Sequence, residues 1–438
     1  MPVESFSSYK DYIDSLLLRS SVPKGFSFAT DQISFIPKEL LNKNKPQKIS
    51  IATILAPQPT TSWAASLTSN RFVGAPIDII RDYTRNNTPI RGIVINNKIA
   101  NVGITTGKKD QTKLLDSYVD ALEIRSQKLL PASTGIIGWS LPVKELVSLA
   151  PSISKKLHSG QPLEVAKAIM TTDAYPKIRS QTLPSGHKIL AIAKGAGMIQ
   201  PNLATMLVFI LTDVPANTAD MQKVLTEAVK QSFNCITVDG DQSTSDMAVI
   251  LSSSVQKAPI TSEIESAVKT ICIQLANDIV RNGEGTHHVI KITITSPFNN
   301  LTAINIGKAV ANSPLVKTAI YGNDPNVGRI VSALGDYLGS KKTLLSYPFQ
   351  QISIKLGNHL IFEAGSFHLD SYTEQLLKNY LKDCFFDTSQ GYPPHNRDVE
   401  ISINFPQVKN FNNTTNTVNV IGSDLSHDYI TENADYRT

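Results

Sequence analysis

A mixed α/β fold is predicted by two kinds of segment that alternate along the chain and by a composition able to bury both. Short runs rich in branched and aromatic residues read as strands, while longer stretches with apolar residues at three-then-four spacing read as helices. With 438 residues, 41% of them hydrophobic, the chain is long enough for two or more packed units. The alternation argues for a layered α/β or an α+β arrangement.

In chain order, residues 91–96 (Arg-Gly-Ile-Val-Ile-Asn) form the first expected strand, and 113–126 and 143–157 are expected helices. Residues 188–193 and 206–211 read as strands, the second an unbroken apolar run of the kind buried on both faces. A helix is expected at 218–233. The clearest one is Ser262–Arg281, where Ile264, Val268, Ile271, Leu275 and Ile279 mark one buried face and Gly283 sits just past the end. Residues 289–295, 351–355 and 399–404 complete the strands, with a helix at 371–384. Polar patches at 42–50 and 409–416 read as surface loops, and no internal repeat or low-complexity tract occurs.

Composition narrows the function classes. The net charge of +5 comes from scattered Lys and Arg with no run of five or more, which gives no support for nucleic-acid binding. Cys235, Cys272 and Cys384 lie far apart without metal-ligand spacing, so a reducing compartment and no metal are expected. The first twenty residues carry Glu4, Asp11 and Asp14 and fit neither a secretory nor an Arg-rich leader, and no apolar stretch reaches spanning length. The expected location is the cytoplasm.

The densest chemical signal is the junction Lys194-Gly-Ala-Gly-Met-Ile-Gln-Pro-Asn-Leu-Ala-Thr205, which runs straight into the 206–211 strand. A β-branched Thr has few rotamers, so its hydroxyl can be aimed. Gly195 and Gly197 permit unusual backbone angles, and Ala204 leaves room beside the peptide bond. Cleavage before Thr205 would place a free α-amine, titrating near ~7.7–8.0, on the same residue as the hydroxyl; this is an activated nucleophile. Taken alone, the junction is also simply a Gly-Pro turn leading into a core strand with an incidental Thr.

Other clusters are read the same way. Thr134 and Gly135, in Pro131-Ala-Ser-Thr-Gly-Ile-Ile-Gly138, offer a hydroxyl beside a flexible N–H, the parts of an oxyanion hole, or of a plain turn into a helix. Glu284, between two glycines, suits an ammonium group or a solvated loop. His287 and His288 are adjacent, point oppositely in a strand, and read as structural. The Asp239–Asp246 stretch fails as a calcium loop because Thr244 and Ile250 stand where Gly and Glu are needed, and Gly103–Lys108 fails as a phosphate-binding loop. The polar C-terminus reads as docked in a pocket or frayed in solvent.

Eight motifs now fall into one order: Lys-Gly-Ala-Gly-Met-Ile-Gln-Pro-Asn-Leu-Ala-Thr-Met-Leu (194–207), Ser-Thr-Gly-Ile-Ile-Gly (133–138), Ala-Ile-Met-Thr-Thr-Asp (168–173), Phe-Asn-Cys-Ile-Thr-Val-Asp-Gly-Asp-Gln-Ser-Thr (233–244), Gly-Glu-Gly (283–285), Asn-Ser-Pro-Leu-Val-Lys-Thr-Ala (312–319), Gly-Asn-Asp-Pro-Asn-Val-Gly-Arg-Ile (322–330) and Asn-Ala-Asp-Tyr-Arg-Thr (433–438). Over about residues 90–438 the chain resembles the ornithine acetyltransferases, glutamate N-acetyltransferases of arginine biosynthesis that mature by self-cleavage before a Thr. The resemblance implies a layered α/β/β/α-type sandwich and cleavage between Ala204 and Thr205, giving an α chain, 1–204, and a β chain, 205–438, that share one core and assemble two of each. It implies Thr205 as nucleophile, Thr134 and Gly135 as oxyanion hole, and Thr171, Lys194, Thr205, Glu284, Asn433 and Thr438 as substrate-binding positions, with Thr172 not separable from Thr171.

The implied reaction is acetyl transfer from N-acetylornithine to glutamate with no cofactor, and acetyl-CoA remains open as a co-substrate. A self-cleaving amidase or aminopeptidase, and a divergent paralogue without turnover, stand as alternatives. The chain departs from the family's common pattern at Asn96-Asn-Lys-Ile-Ala-Asn101, where a glycine-containing turn is usual, at Gln200 for a frequent His and at Val327 for a frequent Trp.

Overall fold

A computed structural model of the chain describes residues 5–43, 45–200, 206–254, 258, 260–408 and 414–434. It divides into a larger unit, residues 13–234 and 242–279, and a smaller one, residues 1–12, 235–241 and 280–438. The architecture is the mixed, layered α/β one predicted above.

The larger unit holds strands β1 (Ser27–Phe35), β2 (Gln47–Thr60), β3 (Trp63–Leu67), β4 (Ile90–Asn96), β5 (Lys128–Ser133), β6 (Lys177–Thr182), β7 (Lys188–Lys194), β8 (Leu207–Thr212) and β9 (Met247–Ser252). They form two sheets, in the orders β1-β2-β4-β5 and β3-β9-β8-β7-β6. Only β4/β5 and β8/β9 are parallel. Each parallel step is bridged by a helix, Gly107–Ala121 for the first and Thr218–Lys230 for the second, as crossover connections require. The helix Pro162–Ala168 packs against β1 and β2 of one sheet and β6 and β7 of the other. Strands β8 and β9 are buried at every position, so their sequences run apolar without alternation. On the first sheet, Ile49, Ile51, Val94 and Leu129 pack under Leu114, Tyr118, Leu146 and Ile153 of the helices.

The smaller unit holds β10 (Val289–Ser296), β11 (Ser353–Leu356), β12 (His359–Glu363), β13 (Ser366–Phe367), β14 (Val399–Asn404) and β15 (Asn416–Ser423) in one sheet, ordered β13-β12-β11-β14-β10-β15. Here burial alternates along β10 and β14, so one face is covered and the other is polar. The covered face presents Ile290, Ile292, Ile401 and Ile403 to Ile306, Leu334 and Leu377 of the helices.

Several expectations need correction at their edges. The 143–157 helix is two, Val143–Ser148 and Ala150–Lys156, because Pro151 lacks the N–H an unbroken helix needs and instead starts a new one. The expected 113–126 helix runs Gly107–Ala121, since Glu123 and Ser126 turn left-handed. The helix expected at 218–233 starts as predicted, with the Asn217 side chain accepting from the Asp220 N–H, but stops at Lys230. The patch at 42–50 is not all loop, for β2 begins at Gln47.

Candidate active site

In the larger unit, the turn after β5 is stitched to the turn after β4. The Thr134 N–H donates to the Asn96 carbonyl at 3.1 Å, and the Ile136 N–H to the Lys98 carbonyl at 2.9 Å. Gly135 between them has φ of +123°, and a Cβ there would lie 2.2 Å from the Lys98 carbonyl carbon, so only glycine fits. Among the described residues its N–H meets no acceptor. Lys98 takes φ of +65° at the position where a glycine-containing turn is usual, so the altered 96–101 segment keeps a left-handed turn without glycine.

Lys194, the last residue of β7, brings its ammonium to 3.4 Å from the Thr134 hydroxyl and 3.9 Å from the Asp173 carboxylate. Asp173 is a buried hub. It accepts from Lys177 Nζ at 2.6 Å, from the Gly195 N–H at 2.7 Å and from the Thr171 N–H at 3.1 Å. Burial alone would raise its pKa, but the charges of Lys177 and Lys194 and the Gly195 N–H outweigh burial and hold the carboxyl far below its ordinary range. Burial pulls the Lys177 ammonium in the opposite direction from its carboxylate partner, and burial wins. Thr171 and Thr172 are half-buried beside this hub.

β7 and β8 pair directly, with Lys194 opposite Leu207 in one sheet. Met198 is left-handed, at φ of +55°, and Met206 is buried. Ala204 and Thr205 lie outside the described residues, as does Thr438.

In the smaller unit, Glu284 lies in the loop between Arg281, anchored by the His395 carbonyl and Asp398, and β10. Its buried carboxylate accepts from Asn433 Nδ2 at 2.9 Å. Asn433 belongs to the helix His427–Ala434, which is tied to that loop at three further places. His287 Nε2 meets the Asp428 carboxylate at 2.8 Å, and the Ser426 hydroxyl, just before the helix, donates to the Gly285 carbonyl at 2.5 Å. Gly285 packs so closely that a Cβ would lie 2.2 Å from the Tyr429 nitrogen. The described part of the polar C-terminus is therefore docked, not frayed. The Tyr429 hydroxyl donates to Asp239 at 3.4 Å, and burial, then the charges of Asp239, Glu284 and Asp241, hold that phenol well above its ordinary pKa. Glu284 of this loop and Asp239 and Asp241 of the 235–241 segment thus place three carboxylates around a neutral phenol, an environment suited to an ammonium group.

His288 bonds Asp424 at 2.8 Å and the Leu381 carbonyl at 3.1 Å, and both imidazoles pack on Phe385, His287 stacked and His288 edge-on. Buried Lys317 donates to the Val238 carbonyl at 2.7 Å and to the Ser423 carbonyl. Burial pushes its pKa down to about 8 against the pull of Asp424 and Asp239.

The structure places Thr134, Gly135, Thr171 and Lys194 together in the larger unit and Glu284 with Asn433 in the smaller one, whereas the resemblance names Thr134 and Gly135 as one pair and puts Thr171, Lys194, Glu284 and Asn433 in a single substrate-binding set. Sequence reasoning gave no role to Asp173, Asp239 or Lys317, although each lies inside a motif quoted above. Lys177 lies in none of them, and its only signal is the fold.

The sequence model of the ArgJ family matches residues 39–438. A protein named arginine biosynthesis bifunctional protein ArgJ 2, from Clostridium acetobutylicum, is 33% identical over 421 residues, which cover 96% of this chain and 99% of that one. The crystal structure of arginine biosynthesis bifunctional protein ArgJ from Bacillus halodurans is 32% identical, with a TM-score of 0.43, and covers 52% of this chain and 97% of that one. That of ornithine acetyltransferase complexed with ornithine, from Mycobacterium tuberculosis, is 25% identical, with a TM-score of 0.35, and covers 42% of this chain and 95% of the other.

Proposed function

The chain belongs to the ArgJ family, and from that premise we propose that it transfers the acetyl group of N-acetylornithine to glutamate in arginine biosynthesis, giving ornithine and N-acetylglutamate. The observation that supports this most is the set of groups converging on Thr134. Its hydroxyl, the Gly135 N–H, which meets no acceptor among the described residues, and the Lys194 ammonium lie together at the end of β7, the strand that leads to the 204/205 junction.

On this reading the bond between Ala204 and Thr205 breaks, and 1–204 stays hydrogen-bonded to 205–438 through β7 and β8. The new amine accepts the proton of the Thr205 hydroxyl as that oxygen attacks the acetyl carbonyl. Thr134 and Gly135 donate to the oxyanion, worth about 3–4 kcal/mol for a well-placed donor. Ornithine leaves as an amine, glutamate attacks acetyl-Thr205, and N-acetylglutamate departs in a ping-pong cycle. Glu284 and Asn433 hold substrate amino groups, Lys194 a carboxylate or the oxyanion, and Thr171 and Thr438 complete the binding set.

Two α and two β chains form the working assembly, located in the cytoplasm. No described helix is long and apolar enough to cross a membrane. The test is ornithine release from N-acetylornithine with and without glutamate. Dependence on glutamate is expected; release without it makes the protein a hydrolase, and no release makes it a paralogue without turnover. N-acetylglutamate formation from acetyl-CoA and glutamate decides whether acetyl-CoA is a second donor.

A further inference from the structure

Resting on the reading above, we infer that Lys177 is a positioning residue: by occupying Asp173 it keeps the Lys194 ammonium directed at Thr134. Two lysines compete for one buried carboxylate. Lys177 stands at 2.6 Å and Lys194 at 3.9 Å, so the first takes the close contact and the second only a long one. The carboxylate's remaining capacity goes to the Gly195 and Thr171 N–H groups, which fix the backbone on both sides of the cluster. Lys177 and Asp173 are wholly enclosed, while the Lys194 side chain keeps 9% of its surface. Among the described residues two cations share the Asp173 carboxylate, so one positive charge is left over, and geometry assigns it to Lys194, 3.4 Å from the Thr134 hydroxyl.

Remove Lys177 and the balance changes. Asp173 stays buried and ionised with one cation in reach, and a buried charge pairs with whatever is near. Lys194 needs to move only about 1 Å to close its 3.9 Å contact into a full ion pair, which takes it from Thr134 and quenches its charge.

The test is a double-mutant cycle on the full chain. Lys177→Met is expected to lower kcat/KM at least tenfold, and adding Asp173→Asn to it to recover part of that loss, because the competing carboxylate is gone. In a Lys194→Met background, Lys177→Met is expected to change kcat/KM less than twofold. A residue that only supports the fold gives the opposite pattern, with the double variant worse than either single one. Should Lys177→Met not fold, the variant lacking both charges is compared with Asp173→Asn alone; near-equality is expected, and a large further loss overturns the inference. Wild-type rate in Lys177→Met also overturns it.

A readout independent of turnover separates this inference from the reading it rests on. The rate at which acetic anhydride modifies Lys194, followed by mass spectrometry of the peptide, is expected to fall severalfold in Lys177→Met. If wild type transfers no acetyl group yet that rate falls, the proposed function fails and the positioning role stands. An unchanged rate overturns the positioning role.

Discussion

The two units bury a lysine in different ways. In the larger unit Lys177 meets a carboxylate at 2.6 Å, whereas in the smaller unit the direct partners of Lys317 among the described residues are carbonyl and hydroxyl oxygens. Among the described residues the ion pair takes up the Asp173 carboxylate while Asp278 is held by Arg179, which leaves Lys194 only a long contact to Asp173. A lysine held by neutral oxygens instead ties the Val238 and Ser423 segments together, in a unit where Asp239, Asp241 and Glu284 lie around Tyr429. The larger unit thus keeps a cation beside Thr134, and the smaller one a group of carboxylates beside Tyr429. Burial alone does not decide the sign of a site; the choice of partner does.

That contrast can be broken from either side. The largest effect is expected for Thr134→Val, which removes an oxyanion donor beside the surplus positive charge. It should lower kcat by about 10²–10³ with KM little changed, as steady-state kinetics would show. Next, Glu284→Gln removes charge from the acidic loop while keeping its shape and its bond from Asn433. A charge-assisted contact worth about 1.5–3 kcal/mol predicts KM raised roughly ten- to hundredfold with kcat largely kept. If both variants changed kcat and KM alike, the division of labour between the units would be wrong.

A third effect concerns stability. The pKa of Lys317 in the folded chain is about 8 against 10.5 when free, because burial disfavours its charge. The unfolded chain therefore binds more protons between those values. By linkage the wild type gains stability relative to Lys317→Met as pH rises from about 8 to 10.5, with no change in the difference below 8. Urea midpoints across that range measure it. Asp173 behaves oppositely: its depressed pKa contributes stability that is complete above the ordinary value of 3.8 and persists well below it.

The sequence reading was most accurate where one period dominates. The helices Ser262–Arg281 and Ser371–Cys384 and the strand Val399–Asn404 were legible residue for residue. Strand β5 was not, because Pro131 argues against a strand; β5 tolerates it at the edge of its sheet. Strand β15 was hidden by Asn416, at its first position, and by Asn419, which lies on the polar face of the smaller unit's sheet between buried Val418 and Val420. The helix Val327–Ser340 carries Gly328, Gly335 and Gly339, poor helix formers that tertiary packing overrides. Within the site, local chemistry leaves Thr134 and Gly135 between an oxyanion hole and a plain turn, and only the resemblance to a family singles them out. The Asp173–Lys177 pair could not be read from the sequence. Its four-residue spacing resembles a helical salt bridge, yet the pair forms across a bend into β6, a geometry that exists only once the sheet is built.

The central claim is that Thr205 becomes an amino-terminal nucleophile that carries the acetyl group. Intact mass spectrometry of the purified protein, incubated with N-acetylornithine and then with glutamate, tests it most directly. The account predicts two fragments, 1–204 and 205–438, with the second gaining one acetyl mass from N-acetylornithine and losing it to glutamate, and no cleavage in Thr205→Ala. A single uncleaved species of 47.8 kDa, or a 205–438 fragment that never acquires the acetyl group, would contradict it.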